Sequence, residues 1–253
     1  MLDSQQKKVL DCLILAAGRN SRLDTGIPKS LVKVGEESLL SRHIRIFKKF
    51  GVKRFCIISG YQAETIEAQL DGLRDLHKVE IVRKHNDRWD LENGFSVSKS
   101  REWVQELKIE NFFMTMGDHI FQEDFVQSFI NKSSALESDL QLAVDIPGKS
   151  NDHIDIDDVT KVDVDSDWKI RSIGKGITDY NHYDTGLFRL KAQVLDVLEN
   201  CFSQNRFTIS DMVTDLIATG QARATLVPGY TWNDVDNRLD LDGTLKLISE
   251  GRL

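Results

Sequence analysis

The stretch LILAAGRNSRLDTGIPKSLVKVG, from Leu13 to Gly35, decides how this chain is read. It continues an apolar run rich in branched residues (Val9, Leu10, Leu13, Ile14, Leu15), the composition of a buried strand. The run opens into a loop carrying Gly18, Arg22, Gly26, Pro28 and Lys29. Small residues there let backbone N–H groups approach a ligand, and flanking cations suit phosphate. Taken singly, each residue fits an ordinary strand-to-loop junction with solvated cations. Taken as one block, they read as a nucleotide-phosphate site.

Outward from that block, strand and helix patterns alternate. SLLSRHIRIFKKFG puts Leu39, Leu40, Ile44 and Phe47 on one helical face and closes at Gly51. RFCIISG and VEIVRK read as strands around a short amphipathic helix, AETIEAQLDG. ENGFSVSKSREWVQEL reads as one helix, NFFMTMGD as a strand ending at Gly117-Asp118, and QEDFVQSFINKS as a helix. Short strands spaced by helices imply right-handed crossovers and a largely parallel, two-faced sheet. Such sheets bind ligands at the carboxyl ends of their strands, so the opening loop and Asp118 are expected on one edge.

The second half changes character. LQLAVDI, DVTKVDVD, WKIRSIGK and YDTGLFRL look like strands with Asp-rich turns. Lys149 to Asp158 (KSNDHIDIDD) is polar and acidic and reads as a candidate mobile loop. Helical segments follow around KAQVLDVLENC and ISDMVTDLIATG, then ATLVPG, TWNDVD and a closing helix, NRLDLDGTLKLISEG. With 253 residues and no internal repeat or linker, one α/β domain with a smaller β insertion is the simplest organisation.

Composition narrows the partners. A net charge of −7 gives no global basic field, which argues against nucleic acid as a main partner. No apolar stretch approaches the roughly 20 residues of a membrane helix, so no membrane insertion is expected. Two lysines precede the first apolar run, but that run is short and contains Asp11, which favours a core strand over a signal peptide. Cys12, Cys56 and Cys201 form no CxxC pair and read as buried small hydrophobes in a reducing compartment, with a cytoplasmic location expected.

Asp118 follows a buried strand, where a carboxylate either caps a helix or holds a cation; Gln122 and Glu123 are better placed to start the next helix. Asp234 and Asp236 in TWNDVDN would face one side of a strand. The same spacing in Asp155/Asp157 and Asp163/Asp165 falls in acidic turns and reads as solvated. Lys175, between glycines, is a phosphate hook or a turn residue. There is no HExxH, no Walker A pattern and no G-x-S-x-G elbow.

These residues together resemble the sugar-nucleotide pyrophosphorylase superfamily of nucleotidyltransferases. Its signature loop, L-A-A-G-x-G-[TS]-R followed by P-K-x-L, is similar to Leu15-Ala16-Ala17-Gly18-Arg19-Asn20-Ser21-Arg22 and Pro28-Lys29-Ser30-Leu31. Asn20 stands where the second glycine is usual, and Asn tolerates left-handed backbone better than other side chains. Within the superfamily, the chain most resembles CTP:inositol-1-phosphate cytidylyltransferases. That match continues through Asn93-Gly94-Phe95-Ser96, Met114 to His119, Ile173-Gly174-Lys175, Asp184-Thr185-Gly186 and Trp232 to Asp236, with Asn237 where threonine often follows.

The resemblance implies a Rossmann-like α/β fold, a mostly parallel mixed sheet flanked by helices with a smaller acceptor-side β region. It implies a single domain over 1–253, with 1–135 mainly binding nucleotide and 136–253 mainly binding acceptor. Leu15, Ala16, Ala17, Gly18, Asn20 and Ser21 would hold the base and triphosphate. Arg22 and Lys29 would neutralise phosphates, Asn93 and Gly94 would close over base and ribose, and Asp118 and Asp236 would hold Mg²⁺. Lys175 would position the acceptor phosphate, Asp184, Thr185 and Gly186 would meet the acceptor, and Asp234 would support the site. Arg22, Lys29 and Asp118 carry the catalytic expectation, CTP and a small phosphorylated polyol are the expected substrates, and a homo-oligomer is allowed.

The implied reaction is attack of an acceptor phosphate on the α-phosphorus of CTP, which needs charge neutralisation and alignment but no protein nucleophile. Other acceptors within the class are phosphocholine or a small phosphonate. A quaternary ammonium would favour an aromatic cage, for which Trp89, Tyr180, Tyr183 and Trp232 are the candidates. Uridylyl or thymidylyl transfer to a sugar 1-phosphate also belongs to the class. Outside it stand a type A glycosyltransferase, against which the cationic opening loop argues, and an inactive binding subunit, against which Arg22, Lys29, Asp118 and Asp236 argue.

Overall fold

The computed structural model describes residues 9–19, 22–23, 25–133, 138–148 and 151–253. Asn20 and Ser21 of the signature loop, and the start of the Lys149–Asp158 stretch, lie outside the described residues.

Strand β1 (Asp11–Ala16) is buried on both faces. Side chains alternate across a strand, so Leu13 and Leu15 enter one hydrophobic cluster while Cys12, Ile14 and Ala16 enter another. Its neighbour β4 (Arg54–Ser59) repeats the pattern, with Cys56 and Ile58 on the first face and Phe55 and Ile57 on the second. Asp11, the charge that interrupts the opening apolar run, is held on both oxygens by Arg54 at 2.7 Å. A charge at the edge of a core strand is tolerated because it is paired in this two-pronged way.

Strands β5 (Glu80–His85) and β6 (Asn111–Met116) complete a parallel set in the order β5-β4-β1-β6. The chain leaves β1 toward β4 on one side and returns to β6 on the other, so the carboxyl ends of β1 and β6 form a crevice. Between β1 and β4 lie a 3₁₀ turn at Lys29–Leu31, a small hairpin of β2 (Lys33–Val34) and β3 (Glu37–Ser38), and α1 (Leu39–Lys49). Ser38 caps α1 by accepting the Ser41 N–H at 3.2 Å, and the buried Leu39, Leu40, Ile44 and Phe47 give it its core face. Helix α2 (Ala63–His77) runs well past the short segment expected from AETIEAQLDG.

The helix expected over ENGFSVSKSREWVQEL is two: α3 (Asn93–Ser98) and α4 (Arg101–Glu106). The Ser98 and Ser100 hydroxyls each donate to a carbonyl three residues back, Phe95 and Val97, at 2.7 Å. Such side-chain bonds compete with the helical ladder and break it between the serines. A short strand β7 (His119–Phe121), not anticipated from sequence, and α5 (Glu123–Ser133) follow β6.

The second half does not form a separate layer. Among the described residues nine strands make one sheet, extended by β8 (Leu140–Asp145), β9 (Lys161–Val164), β10 (Ile170–Gly174), β11 (His182–Lys191) and β12 (Ala222–Leu226). Strand β11 runs antiparallel to β6 through Leu187–Lys191, while its start, His182 and Tyr183, pairs with β9. Its register against β8 shifts between Asp184 and Phe188. The β9–β10 hairpin is thereby carried beyond the end of β6, facing the crevice. Helices α6 (Val194–Ser203) and α7 (Ile209–Ala218) cover one face, and β13 (Trp232–Asp234) pairs with β7 before α8 (Arg238–Ser249) ends the fold. No helix among the described residues is long and apolar enough to cross a membrane.

Candidate active site

Two cavities open at the crevice and share Asp118. The smaller, about 50 Å³, is lined by Leu15, Ala16, Gly18, Arg19, Lys29, Ser30 and Gly117 beside Asp118. The larger, about 270 Å³, lies between the β7–β13 ribbon, the chain on either side of the β9–β10 hairpin and the start of α7, and includes Asn93, Asp158, Lys175, Asp184, Asp234 and Asp236. The first cavity is built by the opening block and the end of β6. The second draws mainly on the chain beyond residue 150, with Asn93, Met116, Asp118 and His119 from before it.

Close backbone packing makes the smaller cavity. The Gly117 N–H donates to the Leu15 carbonyl at 2.8 Å, and a Cβ on Gly117 would lie 2.7 Å from that oxygen. Only glycine lets the chain leaving β6 lie so near β1. A Cβ on Gly18, by contrast, would meet nothing within 4 Å, so its bareness exposes backbone to open space. Ala17 turns from the cavity: its carbonyl accepts the Tyr61 N–H at 2.9 Å, and it packs against Gly60.

Charges converge where the cavities meet. Lys29 donates to Asp236 and stands 3.7 Å from Asp118 Oδ2. Arg22 donates to Asp236 and, at 2.8 Å, to Asp158, and Lys175 also donates to Asp158. The opening loop and the chain leaving β10 are thus joined through Asp158, a residue that the sequence does not single out. Its neighbours Asp155 and Asp157 read as solvated turn acids, and nothing local distinguishes the third.

The stretch that carries Asp158 reads from sequence as a mobile loop, yet its described part is anchored. Buried Asn151 donates to Asp145 Oδ2 and to the Ile146 carbonyl, both at 3.0 Å, and a His153 ring nitrogen lies 2.9 Å from the Trp232 carbonyl. The same Asp145 oxygen accepts the Trp232 indole N–H at 3.1 Å. One buried carboxylate therefore steadies both the segment bearing Asp158 and the strand bearing Asp234. Asn237 is likewise structural: it caps α8, accepting the Leu239 and Asp240 N–H groups, while Asp240 accepts those of Asp236 and Asn237 at 2.9 Å.

Burial opposes the charge on Lys29, but Asp118 and Asp236 outweigh it and hold the ammonium above its ordinary range. Burial also opposes ionisation of Asp118, yet the His119 hydrogen bond and the charges of His119 and Lys29 keep its carboxyl well below the usual value. His119, desolvated but bonded to Asp118, is raised to about 8. Burial lifts Asp184 to about 6, against the Gly186 N–H that it accepts at 2.7 Å. Asp234 rises to about 6 for the same reason, with Asp236 and Asp118 adding to the effect.

Several expected contacts are packing instead. Gly94 lines neither cavity, because a Cβ there would lie 2.5 Å from the Phe207 carbonyl; it seats α3 on the chain before α7. Asn93 does line the larger cavity, but its side-chain oxygen accepts the Ile209 N–H at 2.8 Å. Thr185 is buried and donates to the Ala143 carbonyl at 2.8 Å. Of the four cage candidates only Trp232 reaches the larger cavity; Trp89 packs on Tyr61, and Tyr180 stacks on Tyr183. The three cysteines are free and buried.

Among the described residues no group of three or more His, Cys, Asp or Glu side chains is arranged to hold a metal. Asp118 and Asp236 instead flank one ammonium, that of Lys29.

Residues 12–151 match the MobA-like NTP transferase domain family. The chain belongs to that family. Over 92% of its length it is 28% identical to a bifunctional IPC transferase and DIPP synthase of Archaeoglobus fulgidus, and over 93% it is 28% identical to one of Aquifex aeolicus. It covers 43% and 51% of those relatives, so it spans about half their length. The solved inositol-1-phosphate CTP transferase from T. maritima superposes with a TM-score of 0.80 at 26% identity, covering 97% of this chain and 98% of that one. A UDP-glucose pyrophosphorylase structure, 12% identical with a TM-score of 0.79, shares the fold. This member of the family is a mixed α/β protein with a mostly parallel central sheet flanked by helices.

Proposed function

We propose that the chain is a CTP:inositol-1-phosphate cytidylyltransferase, releasing pyrophosphate and forming CDP-inositol. The observation that carries this reading is the meeting of two cavities at Asp118, one walled by small residues and cations, the other by carboxylates and Lys175. Likeness along nearly the whole chain to an inositol-1-phosphate CTP transferase supports it. The lack of a cage among Trp89, Tyr180, Tyr183 and Trp232 favours a polyol over a quaternary ammonium.

In this reading residues 1–135 mainly serve the nucleotide and 136–253 the acceptor, within one domain. Leu15, Ala16 and Gly18 present backbone to the nucleotide. Arg22 and Lys29 exchange their carboxylate partners for phosphate oxygens, Lys29 beside the α-phosphate. Lys175 leaves Asp158 for the acceptor phosphate, and Asp184 and Asp234 accept polyol hydroxyls. An acceptor phosphate oxygen then bonds to the α-phosphorus as the bond to the bridging oxygen breaks, and pyrophosphate leaves. The attacking oxygen is already ionised, so the reaction requires no general base.

The hard oxygen donors of Asp118 and Asp236, both on the Lys29 ammonium, fit a divalent cation such as Mg²⁺. That ion takes one or two carboxylates and completes its shell with water and phosphate. When bound it would neutralise phosphate charge and stabilise the leaving group. The test is pyrophosphate release from each of four nucleoside triphosphates with inositol 1-phosphate, phosphocholine, aminoethylphosphonate or glucose 1-phosphate. Turnover with CTP and inositol 1-phosphate is expected to dominate; strong turnover only with UTP or dTTP overturns the reading.

A further inference from the structure

Two blocks distant in sequence, Gly117-Asp118-His119 and Asp184-Thr185-Gly186, interlock in the fold. Gly186 stands in left-handed backbone at φ +72°, and a Cβ on it would lie 2.5 Å from His119 Nε2 and 2.6 Å from its Cδ2. The missing side chain is thus a notch occupied by the imidazole. Asp184 fixes the notch by accepting the Gly186 N–H at 2.7 Å. At the opposite edge of the ring, His119 Nδ1 lies 3.0 Å from Asp118 Oδ1. Asp118 divides its oxygens: Oδ1 meets the imidazole and Oδ2 faces Lys29 at 3.7 Å.

We propose that His119 is a positioning residue: seated in the Gly186 notch, its Nδ1–H fixes Asp118 so that Oδ2 is presented to Lys29 and the divalent cation. A carboxylate free to rotate would present either oxygen, and a hydrogen bond from a neighbouring group removes that freedom. The proposal rests on the reading of Asp118 as an anchor for the cation. It gives a purpose to the close fit of the His119 ring against Gly186, where any side chain would displace the imidazole.

The experiment is Mn²⁺ binding in the presence of CTP, read from the free Mn²⁺ electron paramagnetic resonance signal, alongside circular dichroism. His119→Ala is expected to weaken Mn²⁺ binding by about 10–100-fold. His119→Asn, which keeps an N–H donor near the Nδ1 position, is expected to recover most of it. Gly186→Ala should resemble His119→Ala, and the double variant should bind Mn²⁺ no more weakly than His119→Ala alone. Should Gly186→Ala fail to fold, the comparison of the two His119 variants decides. The proposal is overturned if folded His119→Ala binds Mn²⁺ like wild type while Asp118→Asn does not, or if His119→Asn gives no recovery. If Asp118→Asn itself binds Mn²⁺ normally, the cation reading fails and the proposal goes with it.

Discussion

The Arg22 guanidinium donates to Asp158 at 2.8 Å, joining the loop after the first strand to a segment more than a hundred residues later. Asp158 also receives Lys175. One carboxylate therefore stands between a cation assigned to the nucleotide and a cation assigned to the acceptor, where phosphate would have to compete with it.

Removing that competitor should help binding. Asp158→Asn is expected to lower KM for inositol 1-phosphate by about two- to fivefold, the scale of a solvent-screened ion pair, with kcat little changed. Steady-state pyrophosphate release checks this. A rise in KM of about tenfold or more, the scale of a lost substrate hydrogen bond, would mean that Asp158 contacts substrate.

Lys29 is partly buried between Asp118 and Asp236, so its loss removes a phosphate partner and leaves two carboxylates facing each other. Lys29→Ala is expected to cut kcat by about 10²–10³-fold. Lys29→Arg should not restore full activity, because a planar guanidinium cannot replace a point charge in the same space. Pyrophosphate release with folding monitored by circular dichroism decides; near-wild-type turnover in Lys29→Ala would remove it from the chemistry.

Asp184 gives a pH dependence with a definite sign. Its carboxyl titrates at about 6 in the fold, above its ordinary 3.8, because burial resists ionisation. Between those values the folded chain binds more protons than the unfolded one, so this group costs stability as pH rises from about 4 through 6. Asp184→Asn keeps an acceptor for the Gly186 N–H and should relieve the cost, by at most about 3 kcal/mol at pH 7, less where solvent reaches the carboxylate. Urea melts of both proteins at about pH 4.5 and 7, either side of that titration, measure it, and parallel curves would remove Asp184 as the cause.

Two glycines should behave oppositely. Gly18→Ala meets nothing within 4 Å, so it should fold normally and raise KM for CTP. Gly94→Ala would push against the Phe207 carbonyl and should lose about 1–3 kcal/mol of stability. Urea melts together with KM for CTP separate the two, and an unstable Gly18→Ala or a fully stable Gly94→Ala would contradict the packing.

Strands such as Leu13–Ala16 and Phe55–Ser59 are legible because both faces are buried and the apolar run is unbroken. The opening loop and Asp118 are expected on one edge, as parallel topology requires. The break between α3 and α4 is hidden because it comes from serine hydroxyls, which read locally as ordinary helix surface. Asp158 escapes notice because its meaning comes from Arg22 and Lys175, neither of which is its sequence neighbour. Gly94 and Thr185 read as ligand contacts because a motif records that a residue is needed, and a carbonyl pressed against it leaves no mark in sequence. His119 lies within one motif block, but its partner Gly186 lies in another.

Strand β11 changes partners along its length, from β9 at His182–Tyr183 to β6 from Leu187 onward. The β9–β10 hairpin is therefore hung from the end of one strand, and the residues that flank it, Asp158 to Thr160 before β9 and Lys175 after β10, wall the larger cavity, while the smaller cavity is locked into the parallel centre. Exchanges at the cavity-facing positions of that flank would reshape the larger cavity while leaving the lining of the smaller one unchanged. For protein engineering this makes Ile154, Asp155, Val159 and Thr160, on the cavity wall ahead of β9, the natural place to graft a new acceptor preference onto an otherwise unchanged scaffold.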